Sequence, residues 1–419
     1  MTFYLKKNLG LRISYSQAMK MACDQAELGL EQTTPNPCVG CVILDSKDLV
    51  LGLGHHKKFG EAHAEVEAIN SNPSSLQDAT VFVTLEPCAH EGKTPSCAKL
   101  LAEKPISKVI YLLKDPNPLV SGEGQKTLES TGIKVYCVET ILDSLGEGFN
   151  FYLNGFKKFE DKVVQHIVDK KSFYKKLVRK QKYLNRQFLH SMTSDVPYIT
   201  LKWAQTLNFI LGEKENRLMI TNQEVQKEVH HLRACHDVIL VGKNTILNDD
   251  PLLNNRFGSS KRKLNTIAIL DPELEIIKSN TDLKVFETHS KNNLIFITSK
   301  DVDISREKQM GYNIIQVHQE GENKLDILEA LKLIKKIHKI NSIFVEGGPE
   351  VFSSMLNRNL FDELYVFSAF TFNFKKQTIR IRNFNFFKFI FKNLIKFRIK
   401  IYDQNILVHY YFNRKTNFF

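Results

Sequence analysis

The sequence predicts an α/β protein built from two domains. Three observations carry this. Residues 13–140 alternate between helix-like and strand-like patterns. Residues 157–190 interrupt the alternation with a run of charge. A second helix–strand alternation starts near residue 197. Alternating β and α segments imply helices layered on a sheet, and 419 residues give room for two such cores. The expected boundaries are 1–150, a basic linker or helical insertion over 151–197, and 198–419.

In order along the first domain, "SQAMKMACDQAEL" has helical spacing and "CVGCVIL" is a short apolar run between "TTPNP" and "DSKD". "HAEVEAI" opens a helix, "ATVFVTL" reads as a buried strand, and "PSCAKLLAE" as a helix with Pro at its start. "KVIYLL" and "IKVYCV" are further strands. In the second domain, "PYITLKWAQT" precedes the helix "NQEVQKEVHHLRAC" and the strands "DVILVG", "NTIAIL" and "NLIFIT". The helix "KLDILEALKLIKKIH" leads to the strand "SIFVEGG", which runs into another helix. The tail after Phe370 alternates Phe, Ile, Lys and Arg and is expected to form edge strands at most.

Composition narrows the function classes. No apolar run is long enough to span a bilayer, and the N-terminus lacks a secretory pattern. Seven cysteines in such a chain read as reduced thiols or metal ligands, so a cytoplasmic location is expected. The net charge of +12 suggests nucleic acid at first sight. Its distribution argues against that partner: residues 157–190 carry +8 and residues 371–419 carry +10, leaving the catalytic-looking segments acidic. These patches read as solvated basic segments.

The chemistry lies in "GEAHAEVEAI" and "TLEPCAHEGKTPSC". His63, Cys88 and Cys97 offer one imidazole and two thiolates, a set of the right softness for zinc. Three protein ligands leave a fourth position for water, as in catalytic rather than structural sites. Glu65 is not needed as a ligand and stands where a carboxylate can move protons. Cys88 ends a strand and Cys97 opens a helix, whose dipole favours thiolate. H-x-E followed by P-C and a second Cys is the pattern of zinc deaminases. "CVGC" (Cys38, Cys41) has C-x-x-C spacing, but it sits in an apolar run without a second pair and reads as core thiols.

Polynucleotide deaminases tend to have a short P-C-x-x-C, whereas eight residues here separate Cys88 from Cys97. With "TTPNPCVGCVI", "HAEVEAI", "VTLEPCAHEGKTPSC" and "KDPNPLVSGEG", residues 13–150 resemble the deaminase half of the bifunctional riboflavin-biosynthesis deaminase–reductases. The resemblance implies a cytidine-deaminase-like three-layer α/β domain. It makes His63, Cys88 and Cys97 the zinc ligands and Glu65 the catalytic proton shuttle. Asn36, His56, His90 and Lys93 would hold a small phosphorylated diaminopyrimidine.

In the second half, "YITLKWAQTL", "LMIT", "HHLRACHDVILVGKNTILNDDPLLNNR" and "IFVEGGPEVF" resemble the reductase half, which has a dihydrofolate-reductase-like fold. A strand that ends in Gly-Gly before a helix can also cradle a dinucleotide phosphate on physical grounds. By resemblance, Thr245, Asp249 and Gly348 contact NADPH, while Arg233, Leu253, Arg256 and Glu346 contact substrate. Guanidinium groups suit a sugar phosphate through bidentate pairing. The reaction implied is hydride transfer that opens ribosyl to ribityl. The family also suggests a homo-oligomer. Departures from its pattern are Asn208 and Phe209 in place of Asp-Gly, Glu275 in place of Arg, and the tail. A Phe at a glycine position would be strained if φ is positive there. Two alternatives follow: a deaminase with an eroded reductase domain, and a zinc deaminase acting on nucleic acid through the basic segments.

Overall fold

The computed structural model describes residues 8–71, 75–89, 95–117, 121–145, 161–213, 218–256, 264–279, 282–321, 324–375, 377–381 and 394–412. The chain divides into two compact units, with the boundary between Thr193 and Ser194.

The first unit opens with α1 (Tyr15–Glu27), capped by Ser14, whose side chain and Gln17 form a reciprocal capping box. Then come β1 (Gly40–Leu44), β2 (Val50–His55), α2 (Ala64–Asn70), β3 (Ala79–Leu85), α3 (Cys97–Ala102), β4 (Ile106–Leu113), α4 (Glu123–Glu129), β5 (Lys134–Cys137) and α5 (Val138–Ser144). The sheet order is β2-β1-β3-β4-β5. β1 runs antiparallel to both β2 and β3, and β3, β4 and β5 are parallel.

Strand alternation builds a core on each face. Phe82, Ile110 and Leu112 meet Met19 and Ala22 of α1 on one side. Val81, Val83, Val109 and Tyr111 meet Ala64, Ala68, Leu101 and Leu128 on the other. The result is the expected three-layer α/β/α arrangement. β2 has no counterpart among the strands expected from sequence, because "VLGLGH" carries glycine at alternate positions. A Cβ on Gly52 would lie 2.2 Å from the Ala68 carbonyl, and one on Gly54 would lie 2.3 Å from that of Ala64. Glycine there lets the α2 backbone lie directly on the strand.

The basic segment is helical over its described part: α6 (Lys162–Asp169), α7 (Lys171–Leu184) and α8 (Arg186–Thr193). Asp161 caps α6 by accepting from Val163 and Val164, and it also accepts from Tyr136 Oη at 2.5 Å. Val163, Ile167, Tyr174 and Leu177 are buried in the α1-side core, and the cations point outward. An amphipathic face of this kind is what holds a charged helix on a domain.

The second unit comprises β6 (Tyr198–Thr206), β7 (Gly212–Glu213), α9 (Gln223–Ala234), β8 (Val238–Gly242), α10 (Lys243–Asp249), β9 (Thr266–Leu270), α11 (Glu275–Ser279), α12 (Lys284–Thr288), β10 (Leu294–Ser299), α13 (Ser305–Gln309) and β11 (Asn313–Val317). β12 (Gln319–Gly321), β13 (Lys324–Leu325), α14 (Ile327–His338), β14 (Ser342–Val345), α15 (Pro349–Asn357), β15 (Glu363–Ala369), β16 (Thr378–Ile379), β17 (Leu394–Tyr402) and β18 (Asn405–Phe412) follow. The nine-stranded sheet has the order β11-β10-β9-β8-β14-β6-β15-β18-β17; β7 pairs with β16 and β12 with β13. Its strands pair in parallel from β11 to β15, and the hairpin of β18 and β17 adds two antiparallel pairings at the edge, with β18 the one reversed strand. The described part of the unusual tail therefore does form edge strands. α14 and α15 bury Leu331, Ile334, Phe352 and Met355 on one face. Ile246, Ile276 and Val285 pack against β8–β10 on the other, and α9 covers Phe344, Tyr365 and Phe367.

Candidate active sites

In the first unit the ligand set converges at the carboxyl end of β3. His63 is the N-cap of α2, and Cys97 is the first residue of α3 behind the capping Ser96. Cys88 follows β3 by three residues. Its carbonyl accepts from Ser96 Oγ at 2.8 Å and from the Ala98 amide at 3.1 Å, which fixes α3 against the strand end. His63 Nδ1 lies 3.2 Å from Cys97 Sγ and 3.6 Å from Cys88 Sγ. The three donor atoms all lie within 4.8 Å of one another, and this is the only such cluster among the described residues. Zinc bonds at about 2.3 Å to sulfur and about 2.0 Å to nitrogen fit that spacing and that donor chemistry.

The electrostatics agree. Hydrogen bonding from Cys97 and then His63 holds the Cys88 thiol down to about 4, against the opposing effect of burial. Cys97 is pushed up by Cys88 and by burial, so one thiol is ionised first. Glu65 is 3% exposed, and burial followed by the Cys88 charge raises its carboxyl to about 7. A carboxyl that titrates near neutrality is suited to proton transfer in both directions.

Asn36 and His56 stand beside this centre. Asn36 Nδ2 is 3.2 Å from His56 Nε2, His56 Nδ1 is 3.0 Å from the Ala62 carbonyl, and the His56 and His63 rings are 5.4 Å apart. His90 and Lys93 lie outside the described residues. Cys38 and Cys41 are buried, and burial raises the Cys41 thiol well above its usual range. Glu86, quoted within the motif but given no role from sequence, accepts from the amides of Gly122 at 2.8 Å and Asp115 at 3.3 Å. It thereby ties the "KDPNPLVSGEG" segment to the metal-bearing strand end.

In the second unit Gly348 is the N-cap of α15, with Pro349 at the first helical position. A Cβ on Gly348 would sit 3.7 Å from Thr245 Oγ1, so the start of α15 lies beside the α10 hydroxyl. Asp249 closes α10. The Gly348 turn and the Thr245 hydroxyl suit a phosphate of a nicotinamide dinucleotide at a helix N-terminus, and the Asp249 carboxylate suits a hydroxyl donor of the same cofactor. Glu275 pairs with Lys243 at 2.5 Å, so its charge is neutralised at this end of the sheet.

The substrate-side residues contain one surprise. Arg233 donates through Nε at 2.5 Å and Nη2 at 2.9 Å to the two Glu346 oxygens, and through Nη1 to the Asn254 carbonyl at 3.1 Å. Its fork is therefore occupied by a carboxylate rather than presented to a phosphate. Lys202 Nζ lies 3.9 Å from Glu346 on the other side. Burial lowers the Lys202 ammonium. Burial alone would raise Glu346, but the Arg233 charge and hydrogen bonds, with Lys202, hold it down to about 2. Lys202 was not singled out from sequence; its signal is a lone cation in the apolar run "YITLKWAQT". Leu253 is 3% exposed with φ 47°, and Arg256 is exposed, its amide donating to His230 Nδ1 at 3.2 Å.

A hydrolytic metal centre in one unit and a nucleotide cradle in the other place the chain in the class of two-domain enzymes that couple a deaminase to a reductase. Residues 13–113 match the cytidine and deoxycytidylate deaminase zinc-binding region, and residues 197–372 match the RibD C-terminal domain. The chain is 34% identical over 355 residues to the riboflavin biosynthesis protein RibD of Aquifex aeolicus, covering 84% of this chain and 85% of that protein. It is 33% identical over 353 residues to RibD of Bacillus amyloliquefaciens, covering 84% and 83%. Among solved structures, Acinetobacter baumannii RibD superposes with a TM-score of 0.75 at 26% identity, over 95% of this chain and 99% of the other. A diaminohydroxyphosphoribosylaminopyrimidine deaminase / 5-amino-6-(5-phosphoribosylamino)uracil reductase from Thermotoga maritima gives 0.71 at 25% identity, over 95% and 99%.

The chain belongs to the RibD family of bifunctional riboflavin-biosynthesis enzymes. Its cofactors are zinc in the first unit and NADPH in the second.

Proposed function

We propose that the first unit hydrolyses an amino group from 2,5-diamino-6-(5-phosphoribosylamino)pyrimidin-4-one. The second unit then reduces the resulting ribosylaminouracil phosphate to its ribityl form. The observation that carries this reading is the convergence of His63, Cys88 and Cys97 beside the buried Glu65. Zinc, when bound, supplies the Lewis acidity that makes water a nucleophile at neutral pH. His63, Cys88 and Cys97 hold it. Glu65 accepts a proton from the attacking water and returns one to the departing ammonia, which its carboxyl near 7 permits. Asn36 and His56 orient the pyrimidine, with His90 and Lys93 on the loop between the cysteines as its phosphate-side contacts.

In the second unit Thr245, Asp249 and Gly348 hold the dinucleotide. Glu346 and Lys202 line the substrate side with Leu253 and Arg256. Arg233 fixes the orientation of Glu346 through the paired hydrogen bonds.

The working protein is, on this reading, a cytoplasmic homo-oligomer. None of the seven cysteines is in a disulfide, as a reducing compartment allows. Among the described residues no helix is long and apolar enough to cross a membrane.

The test supplies the diaminopyrimidine ribosyl phosphate to the purified zinc-loaded chain, with and without NADPH. Ammonia release and loss of NADPH absorbance are followed together. Ammonia in both arms and NADPH oxidation in one are expected. Ammonia without any NADPH oxidation would reduce the protein to a deaminase, and no ammonia at all would overturn the reading.

A further inference from the structure

The segment "KKFEDKVVQHIVDKKSFYKKLVRKQKYLNRQFLH" is not needed for metal chemistry, yet it reaches the substrate loop. Asn185, at the joint between α7 and α8, is 3% exposed. Its Oδ1 accepts from the Cys38 amide at 2.7 Å, and its Nδ2 donates to the Cys38 carbonyl at 3.0 Å. One side-chain amide thus satisfies both main-chain groups of a residue 147 positions away, in the manner of a neighbouring strand.

Cys38 closes the loop Thr33-Thr34-Pro35-Asn36-Pro37-Cys38. The other end of the loop is tied to it: Thr33 Oγ1 lies 3.3 Å from Cys38 Sγ, and the Asn36 amide donates to the Thr33 carbonyl at 2.8 Å. Prolines on both sides of Asn36 restrict its backbone. Held this way, the loop presents Asn36 to His56, whose ring stands beside the zinc ligand His63. The joint itself is anchored one helical turn earlier, where the fully buried Gln181 donates through Nε2 to the Cys23 carbonyl at 3.3 Å.

We infer that Asn185 is a positioning residue for deamination: it clamps the Cys38 peptide so that Asn36 is preset for the pyrimidine. The basic helical segment then works as a brace for the deaminase substrate loop. The inference rests on the proposal that Asn36 contacts substrate. A loop that must order itself on binding loses affinity relative to a preset one.

The experiment compares wild type, Asn185→Ala, Asn185→Asp, Asn36→Ala and the double variant Asn36→Ala/Asn185→Ala. Deamination kinetics, zinc content and reduction of separately supplied deaminated substrate are measured on each full-length chain. Asn185→Ala is expected to raise the deaminase KM roughly tenfold, as for the loss of paired buried hydrogen bonds, with kcat, zinc content and reduction unchanged. Asn185→Asp keeps the acceptor for the Cys38 amide but sets a carboxylate oxygen against the Cys38 carbonyl, so its KM should be at least as high as that of Asn185→Ala. The double variant should show a KM no higher than Asn36→Ala alone, because both changes act through one contact.

An unchanged KM in Asn185→Ala, or an effect that adds in full to that of Asn36→Ala, would overturn the inference. Loss of both activities in both Asn185 variants would do the same, by assigning Asn185 to folding. A wild-type chain that releases no ammonia would instead sink the deaminase reading on which this one stands.

Discussion

Glu65 and Glu346 are both buried carboxyls, and their neighbours drive them in opposite directions. Glu65 faces thiols, and burial with the Cys88 charge lifts it to about 7. Glu346 faces Arg233 and Lys202, which overcome burial and hold it near 2. The first is therefore equipped to exchange protons and the second to stay charged. Glu65→Gln keeps the size and removes the proton exchange. Deamination should fall by roughly 10²–10⁴-fold while zinc content by metal analysis stays at the wild-type level. Turnover retained in that variant would show that another group carries the proton.

For Glu346 the consequence is a stability that depends on acid. Its folded pKa lies below its ordinary value of 4.5, so its contribution is present above about 4.5 and is lost as pH falls toward about 2. Glu346→Gln should remove that part of the acid limb. The variant should also be less stable at pH 7 by about 3–5 kcal/mol, because Arg233 is left buried without its anion. Denaturation of the two chains from pH 7 down to pH 2 makes the comparison, and parallel acid limbs would refute it.

At the scale of elements, the turn after β6 shows how a side chain is accommodated at a left-handed position. Phe209 has φ 62°, the left-handed region where a side chain is strained, and the residue is 47% exposed. Asn208 takes advantage of being an amide: it accepts from Thr206 Oγ1 at 2.7 Å and donates to the Asn373 carbonyl at 2.6 Å, and an aspartate could not make the second bond. The turn is thus fixed by Asn208 while Phe209 bears the backbone cost. Phe209→Gly should stabilise the second unit by about 1 kcal/mol, read as a higher denaturation midpoint with an unchanged slope. A lower midpoint would mean that the ring contributes more than the strain removes.

The same scale explains what was legible in the sequence. His63, Cys88 and Cys97 sit at helix starts and a strand end, which local pattern marks well, so their convergence could be expected. β2 was not legible, because its glycines answer to the α2 backbone rather than to local propensity. Asn185 carries no local signal of its role, and the lone cation Lys202 in an apolar run marks a buried charge without naming its partner, since the partners lie 147 and 144 positions away. The pairing of Arg233 with Glu346 was not legible for the same reason: the carboxylate is 113 residues downstream.

At the scale of the whole molecule, the second sheet ends, among the described residues, in β17, which pairs with β18. Phe397, Ile399 and Ile401 are 52%, 59% and 70% exposed, and they sit in register with Tyr410, Val408 and Ile406 of β18. Two apolar rows thus share one face of the hairpin. The alternate positions Lys396, Arg398 and Lys400 are cationic, and Lys400 pairs with Glu228 at 3.0 Å. Such charges on an edge strand discourage open-ended pairing without preventing a closed contact. If the proposed homo-oligomer forms through this exposed apolar face, a second copy meeting it about a twofold axis would cover each row twice for one set of residues.

Burying a Phe or Ile side chain contributes about 1.5–3 kcal/mol. One substitution therefore acts at two places in a symmetric dimer. Wild type should exceed its monomer mass of 48.3 kDa in light scattering at micromolar concentration. Ile399→Lys should shift it toward the monomer with both unfolding midpoints preserved. A wild type that is monomeric at that concentration, or an Ile399→Lys chain with unchanged mass, would show that this hairpin face is not where copies of the chain meet.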